Sequence, residues 1–186
     1  IDVPSIYEVP LRMHQQHLDE IVLTKTGLPI NGEPHLEPWL NFLHRMKNAT
    51  KTVRIGLVGK YVELPDAYKS INESLFQAAT YNDRKLDLQY IHSEKLNSGN
   101  VDAMLSSLDG VLIAPGFGQR GIEGKFIALK YAREHDIPTF GVCLGMQCMV
   151  IEYARDVLGY TDANSTEMDV TTKHNVIDLM EEQKSI

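Results

Sequence analysis

Cys143 stands between two glycines in Gly141-Val142-Cys143-Leu144-Gly145, directly after Ile137-Pro138-Thr139-Phe140, an apolar stretch that reads as a strand. A thiol at a Gly-x-nucleophile-x-Gly turn is placed for attack. The glycines remove Cβ atoms where the chain bends sharply, so the side chain stands clear of the sheet and open to a substrate carbonyl. A helix starting at Leu144 aims free backbone N–H groups and its positive dipole end at the sulfur, which favours thiolate over thiol. The Leu144 amide, one residue past the sulfur, is then positioned to donate to an oxyanion. The same pentapeptide also fits a buried structural cysteine in an unrelated α/β protein, so the surrounding elements decide between the two.

A second stretch with chemical potential is Ala114-Pro115-Gly116-Phe117-Gly118-Gln119-Arg120-Gly121. Its small residues let the backbone come close to a ligand, although an ordinary Gly-rich connection reads the same way. Amides from this loop together with that of Leu144 make a two-donor oxyanion hole, an arrangement worth roughly 3 kcal/mol per donor. The Gly124-Lys125 pair beyond it invites a phosphate-loop reading. That motif fails, because Gln119 occupies the first Gly position and Phe126 the last.

The elements that position these residues follow from apolar runs. Val53 to Gly59 is a short apolar stretch ended by Gly, the mark of a buried parallel strand, and similar runs lie at Leu86 to Ile91, Gly110 to Ala114 and Ile137 to Val142. Helical patterns separate them: Asp66 is expected to cap a helix with Ile71, Leu75 and Ala79 on one face, while Ile122, Phe126 and Leu129 mark a second. A third runs from Leu144 to Leu158 and stops at Gly159. Alternating strands and helices predict an α/β fold with an open, mostly parallel, doubly wound sheet, whose ligands sit at the carboxyl ends of the strands. Both stretches fall at such ends. Residues 1–28 carry scattered apolar positions and read as an incomplete piece, 29–51 as an interdomain linker with Pro residues and one short helix, and 52–186 as the sheet domain.

Composition narrows the function. The chain has 186 residues, 43% of them hydrophobic, and a net charge of −7 without a dense Lys/Arg run, which argues against nucleic acid or an anionic membrane as partner and for small molecules. No apolar run approaches the roughly 20 residues of a membrane span, and the reading is a soluble, cytoplasmic protein. Cys143 and Cys148 imply neither a disulfide framework nor a metal cluster.

Three segments in order resemble the CTP synthases: Val58-Gly59-Lys60-Tyr61-Val62-Glu63-Leu64-Pro65-Asp66-Ala67-Tyr68-Lys69-Ser70, which is similar to the opening of their glutamine amidotransferase domain; Gly141 to Gln147, similar to their nucleophile motif; and Asn164-Ser165-Thr166-Glu167, similar to their glutamine-binding segment. The resemblance implies that Cys143 attacks the glutamine side-chain amide to form a thioester and release ammonia. It further implies that Leu144 and Gly116 donate amides, that Leu144, Gly145, Met146 and Gln147 line the glutamine pocket, and that Glu167 pairs with the substrate ammonium. Gln119, Arg120 and Gly121 would belong to a lid associated with activation by GTP. Asp2 to Tyr7 resembles the tail of the synthetase domain, where Ile1, Asp2 and Val3 would touch ATP; in the intact enzyme that domain phosphorylates UTP with ATP and Mg²⁺, ammonia completes CTP, and homotetramers form mainly through it.

The chain departs from the family in three ways. The loop usually reads Pro-Gly-Gly-Phe-Gly, whereas here it is Ala114-Pro115-Gly116-Phe117-Gly118; Pro115 has no N–H, so Gly116 must donate. The family's His-x-Glu triad pair lies far beyond the nucleophile and is not found after Cys143 here. His92-Ser93-Glu94 has that spacing but precedes the cysteine, and His135 and His174 read as surface or loop residues. Third, the synthetase domain is almost wholly absent, so the sequence reads as a fragment that is inactive alone: proton delivery to ammonia and activation of water need the neighbouring His. Cys148 and Met149 read as packing, and Trp39 as the anchor of the linker helix. Alternatives are another Cys-elbow hydrolase or amidotransferase, or a non-catalytic ligand-binding or assembly module with an inert Cys143.

Overall fold

The apolar runs become four parallel strands: β1 (Lys51–Gly59), β2 (Arg84–His92), β3 (Gly110–Ile113) and β4 (Thr139–Gly141), arranged side by side in the order β2-β1-β3-β4. The computed structural model describes residues 2–64 and 66–183. Between the strands lie α4 (Lys69–Tyr81), α5 (Val101–Leu105) and α6 (Ile122–Glu134); α7 (Leu144–Asp156) follows β4. Three helices precede the sheet, α1 (Val9–Gln15), α2 (Leu18–Thr26) and α3 (Glu37–Asn48), and a two-stranded parallel ribbon follows it, β5 (Asn164–Ser165) with β6 (Asn175–Ile177).

Both faces of the sheet are covered, as the run-like strand sequences predict. Consecutive residues of β1 show it: Leu57 packs with Leu112, Ile71, Leu75 and Tyr68 under α4, while Val58 packs with Leu105, Ile122, Phe126, Leu144 and Cys148 under α5, α6 and α7. Every residue of β3 is buried, and each such Val, Leu or Ile contributes about 1.5–3 kcal/mol by leaving water. Register aligns Gly59 with His92, Val58 with Ile113, and Ile113 with Gly141. All four carboxyl ends therefore share one edge, and the strand order reverses between β1 and β3, where open α/β sheets place their ligands.

The structure corrects several boundaries. Asp66 does not cap α4; Tyr68 occupies the N-cap position without a side-chain hydrogen bond, and the Asp66 carbonyl instead accepts from Lys69 N–H in the preceding turn. α7 ends at Asp156, two residues before the expected stop, although Gly159 does adopt the left-handed conformation at φ +78°. Residues before Gly27 form helices that scattered apolar spacing did not reveal. They have no fully buried residue, so tertiary burial leaves little imprint on their pattern. Trp39 is an anchor: its Nε1 donates to the Tyr7 carbonyl at 2.9 Å, and Tyr7 meets Trp39, Phe42 and Phe76 with ring centroids 5.9, 5.3 and 5.4 Å apart. The Tyr7 hydroxyl also donates to the Glu73 carboxylate on α4.

One close approach fixes α6 against the end of β2. A Cβ at Gly124 would overlap the Ser93 backbone carbonyl. Gly124→Ala is therefore expected to lower stability by about 2 kcal/mol despite alanine's better helix propensity, reducing Tm by roughly 4–8 °C for a chain of this size; an unchanged melting curve would refute the tight packing.

Candidate active site

Cys143 is the N-cap of α7, and its backbone sits at φ 53°, ψ −114°, a conformation unfavourable for any residue with a Cβ. The local sequence makes this bend possible. A Cβ at Gly145 would overlap the Ile113 carbonyl oxygen of β3, and one at Gly141 would press on the backbone of Gly145 and Met146. That Ile113 oxygen already accepts from Val142 N–H at 3.1 Å, so β4 feeds straight into the turn. The first helical bonds follow at once: Gly145 N–H donates to Val142 O at 2.9 Å, and Gln147 N–H to Cys143 O at 3.1 Å. The expected elbow is present, with helix α7 starting at Leu144 and the thiol exposed.

The two cysteines differ in environment. Cys148, one turn further along α7, has no exposed surface, and burial pushes its thiol up to about 11. Cys143 lies open to solvent beside backbone donors that have nothing to bind: among the described residues neither Leu144 N–H nor Gly116 N–H meets an acceptor. The Leu144 group is one of the orphans every helix start leaves. Gly116 is close to it, since a methyl built there would stand 3.9 Å from Leu144 Cδ2 and 3.5 Å from Lys60 Cε. Both distances are ordinary van der Waals contacts, so the fold itself does not demand a glycine at 116.

Other predicted residues gather around the same edge. Met146 is exposed and Gln147 half-buried on the first turn of α7. Arg120 Nη1 donates to Glu94 Oε2 at 2.7 Å and lies over the Tyr61 ring, 5.5 Å from its centre. Gly121 caps α6 at φ +78°, where a Cβ would overlap Ser93 Oγ. Glu167 follows β5, with its N–H bonded to Ser165 Oγ at 3.2 Å and its carboxylate exposed without a cationic partner among the described residues. Gln119 ties this segment to the loop by donating to the Met168 carbonyl at 2.8 Å, a bridge of which the sequence gave no sign. A polar cleft of about 400 Å³ opens beside it, lined by Gln119, Glu123, Phe126, Arg155, Asn164 and Asp169 among others.

Residues outside the cluster are also clear. His92 and Glu94 are 3.8 Å apart at the end of β2, and Glu94 is engaged by Arg120. His135 stacks on Tyr131, and His174 on Tyr160 with its Nδ1 2.6 Å from Asp162. Among the described residues none of these groups bonds to Cys143. Asp2 and Val3 begin the N-terminal segment and have no bond to the elbow, while Ile1 lies outside the described residues.

Two lysines were missed as site residues. Lys60, directly after β1, and Lys125, on α6, are both buried, and each donates from Nζ to a carbonyl of the Gly-rich loop. Their sequence signal was present, since Lys60 follows a strand-ending Gly and Lys125 sits in the Gly-Lys pair set aside with the phosphate-loop motif.

The model of the family described as glutamine amidotransferase class-I matches residues 63–185. Curated CTP synthases are similar over all 186 residues: 67% identical in Bacteroides fragilis (strain ATCC 25285), 61% in Porphyromonas gingivalis (strain W83) and 55% in Flavobacterium johnsoniae. The chain spans about a third of the length of these relatives, 34–35%. Among solved structures, the glutaminase domain of Trypanosoma brucei CTPS with bound acivicin superposes with a TM-score of 0.65 at 41% identity, covering 70% of this chain and 51% of that one.

The strain and exposure at the elbow have measurable consequences. Iodoacetamide at pH 8 is expected to add one carbamidomethyl group, at Cys143, to the native protein and two after denaturation; native labelling of Cys148 would contradict its burial. Cys143→Gly should raise stability by about 1 kcal/mol, the balance between a strained φ relieved and the larger entropy of an unfolded glycine, whereas Cys143→Ala should not, as chemical denaturation will read.

Proposed function

The chain belongs to the class-I glutamine amidotransferase family, and on that premise we propose that it is the glutaminase part of a CTP synthase, with Cys143 as nucleophile. The observation that carries this reading is the exposed thiol on a strained elbow at the start of α7, beside the acceptor-free amides of Leu144 and Gly116. The thiolate attacks the side-chain carboxamide carbon of glutamine, and the oxygen becomes an oxyanion received by those two amides. Collapse expels ammonia with a proton supplied by the general acid and leaves a γ-glutamyl thioester. Water then attacks the thioester, the sulfur departs, and glutamate forms, so that glutamine and water become glutamate and ammonia. The acivicin bound by the trypanosomal relative, a glutamine analogue, supports glutamine as the substrate.

Residues around the elbow take up the rest of the substrate in this reading. Gly145, Met146 and Gln147 line the pocket, and the unpartnered Glu167 carboxylate suits the α-ammonium group. Arg120 and Gly121 belong to a lid that responds to GTP. Residues 1–28 are the end of the synthetase domain, 29–51 the linker, and 52–186 the first part of the amidotransferase domain. The intact cytoplasmic enzyme is a ligase and homotetramer that takes ATP, with Ile1, Asp2 and Val3 at the edge of that site, together with Mg²⁺ and UTP. Among the described residues no three His, Cys, Asp or Glu side chains converge, so these residues offer no ready-made cage for Mg²⁺.

The proton transfers need a base that the described residues do not bring to Cys143, and the family resemblance assigns it to a His-x-Glu pair beyond residue 186. A polypeptide of residues 1–186 should therefore hydrolyse glutamine at least 10²-fold more slowly than the longer protein, the usual worth of a positioned general base. Comparable turnover would exclude that assignment. In the longer protein, 6-diazo-5-oxonorleucine should label Cys143 and a peptide-derived electrophile should not; the reverse outcome would mark a peptidase-like site.

A further inference from the structure

Two buried ammonium groups grip opposite ends of the loop after β3, whose Gly116 lies against the Leu144 side chain. Lys125, 1% exposed, donates from Nζ to the Ala114 carbonyl at 2.7 Å. Lys60, 7% exposed, donates to the Phe117 carbonyl, its Nζ lying 5.3 Å from the centre of the Tyr61 ring. Neither has a carboxylate partner among the described residues. Taking an ammonium out of water costs several kcal/mol even after relaxation, and burial lowers the proton affinity of Lys125 accordingly. A fold that needed only stability would fill these places with apolar side chains.

The placement of the two grips is specific. The pinned carbonyls belong to the Ala114-Pro115 and Phe117-Gly118 peptide units, which flank the Pro115-Gly116 and Gly116-Phe117 units whose N–H groups meet no acceptor among the described residues. Pro115 has no N–H to donate, so holding its peptide sacrifices no donor. Gly116, between the pins, has no Cβ, so its peptide planes rotate at little cost, and Gly118, just past the second pin, sits at φ +70°. Charge-assisted bonds from ammonium to carbonyl are strong enough to select one orientation. The aliphatic stem of Lys60 also runs beneath Gly116, 3.5 Å from where a methyl would be.

We propose that Lys60 and Lys125 are positioning residues for the oxyanion loop: by fixing the carbonyls of Phe117 and Ala114 they aim the Gly116 amide at the oxygen that becomes negative during attack by Cys143. The role rests on the glutaminase reading above. It acts through the loop, since neither ammonium need touch the substrate. An amide displaced by about 1 Å costs on the order of 10²-fold in rate, and most of the loss falls on kcat, because the donor matters where charge develops.

The test uses the full-length enzyme carrying Lys60→Met, Lys125→Met or Lys60→Arg. Both Met variants are expected to lose about 10-fold to 100-fold in glutaminase kcat with KM for glutamine changed less than about threefold, while Lys60→Arg, which keeps a cationic donor, recovers most of the rate. Inactivation by 6-diazo-5-oxonorleucine, whose ketone oxygen occupies the oxyanion position, should slow in parallel in the Met variants, while alkylation of Cys143 by iodoacetamide should stay within about twofold of the parent. Retained kcat in Lys60→Met would overturn the proposal, as would an iodoacetamide rate that falls with the analogue rate, because the site would then have collapsed as a whole. Should Lys125→Met fail to fold, the Lys60 pair decides alone. Failure of the parent enzyme to be labelled at Cys143 by the analogue would instead sink the glutaminase reading itself.

Discussion

The close approach of α7 to the carboxyl end of β3 is the constraint on which the site depends. Gly145 lies against the Ile113 carbonyl and Gly141 against the first turn of the helix, so there is no room for a side chain at either position. Only with both glycines in place can β4 turn into α7 within two residues and leave Cys143 at φ 53°. The strain at that one residue is held by everything around it: the strand pairing of Ile113 with Gly141, the bond from Val142 to Ile113, and the burial of Leu144, Cys148 and Ile151 in the core. A lone residue in such a conformation persists when its surroundings over-determine it, and the result is a thiol lifted off the sheet at the positive end of a helix.

The loop after β3 complements that elbow with a different kind of support. Where the elbow is enforced by steric exclusion, the loop is permissive and is held by polar contacts: from Lys60 just after β1, from Lys125 on α6, and through its own Gln119 reaching to the segment after β5. This difference suits their tasks. In the proposed function a nucleophile must be presented in one fixed place, whereas a loop that receives an oxyanion needs backbone freedom that is then selected. The strand order reverses between β1 and β3, and at that point Lys60, directly after β1, reaches the loop that follows β3.

The N-terminal helices show a third mode of attachment. Their contacts concentrate on one aromatic cluster, Tyr7 with Trp39, Phe42 and Phe76, reinforced by the bonds of Tyr7 to Glu73 and of Trp39 to the Tyr7 carbonyl and by the ion pair of Lys47 with Glu8 at 3.0 Å. Burial and the neighbouring Glu73 carboxylate raise the Tyr7 hydroxyl above its ordinary range, which keeps it protonated and donating. The segment is thereby tied to α4, on the opposite face of the sheet from α7.

What the amino-acid sequence determined by itself was the sheet and the elbow. The apolar runs of β1 and β3 specify central strands, because a strand covered on both faces has no polar alternation to blur it, the edge strands β2 and β4 are less buried, and Gly-x-Cys-x-Gly specifies the bend, because steric exclusion of Cβ acts between near neighbours. Lys60 and Lys125 stand out in the sequence, but tertiary structure alone decided which carbonyls they reach, along with the Gln119 bridge and the docking of Tyr7. Each is a contact across 11 to 70 residues of chain, and a lysine that faces solvent in one fold and a buried carbonyl in another has the same letter in both. The short β5–β6 ribbon and the N-cap of α4 at Tyr68 rather than Asp66 belong to the same class: their local signals are weak, and burial against distant elements settles them.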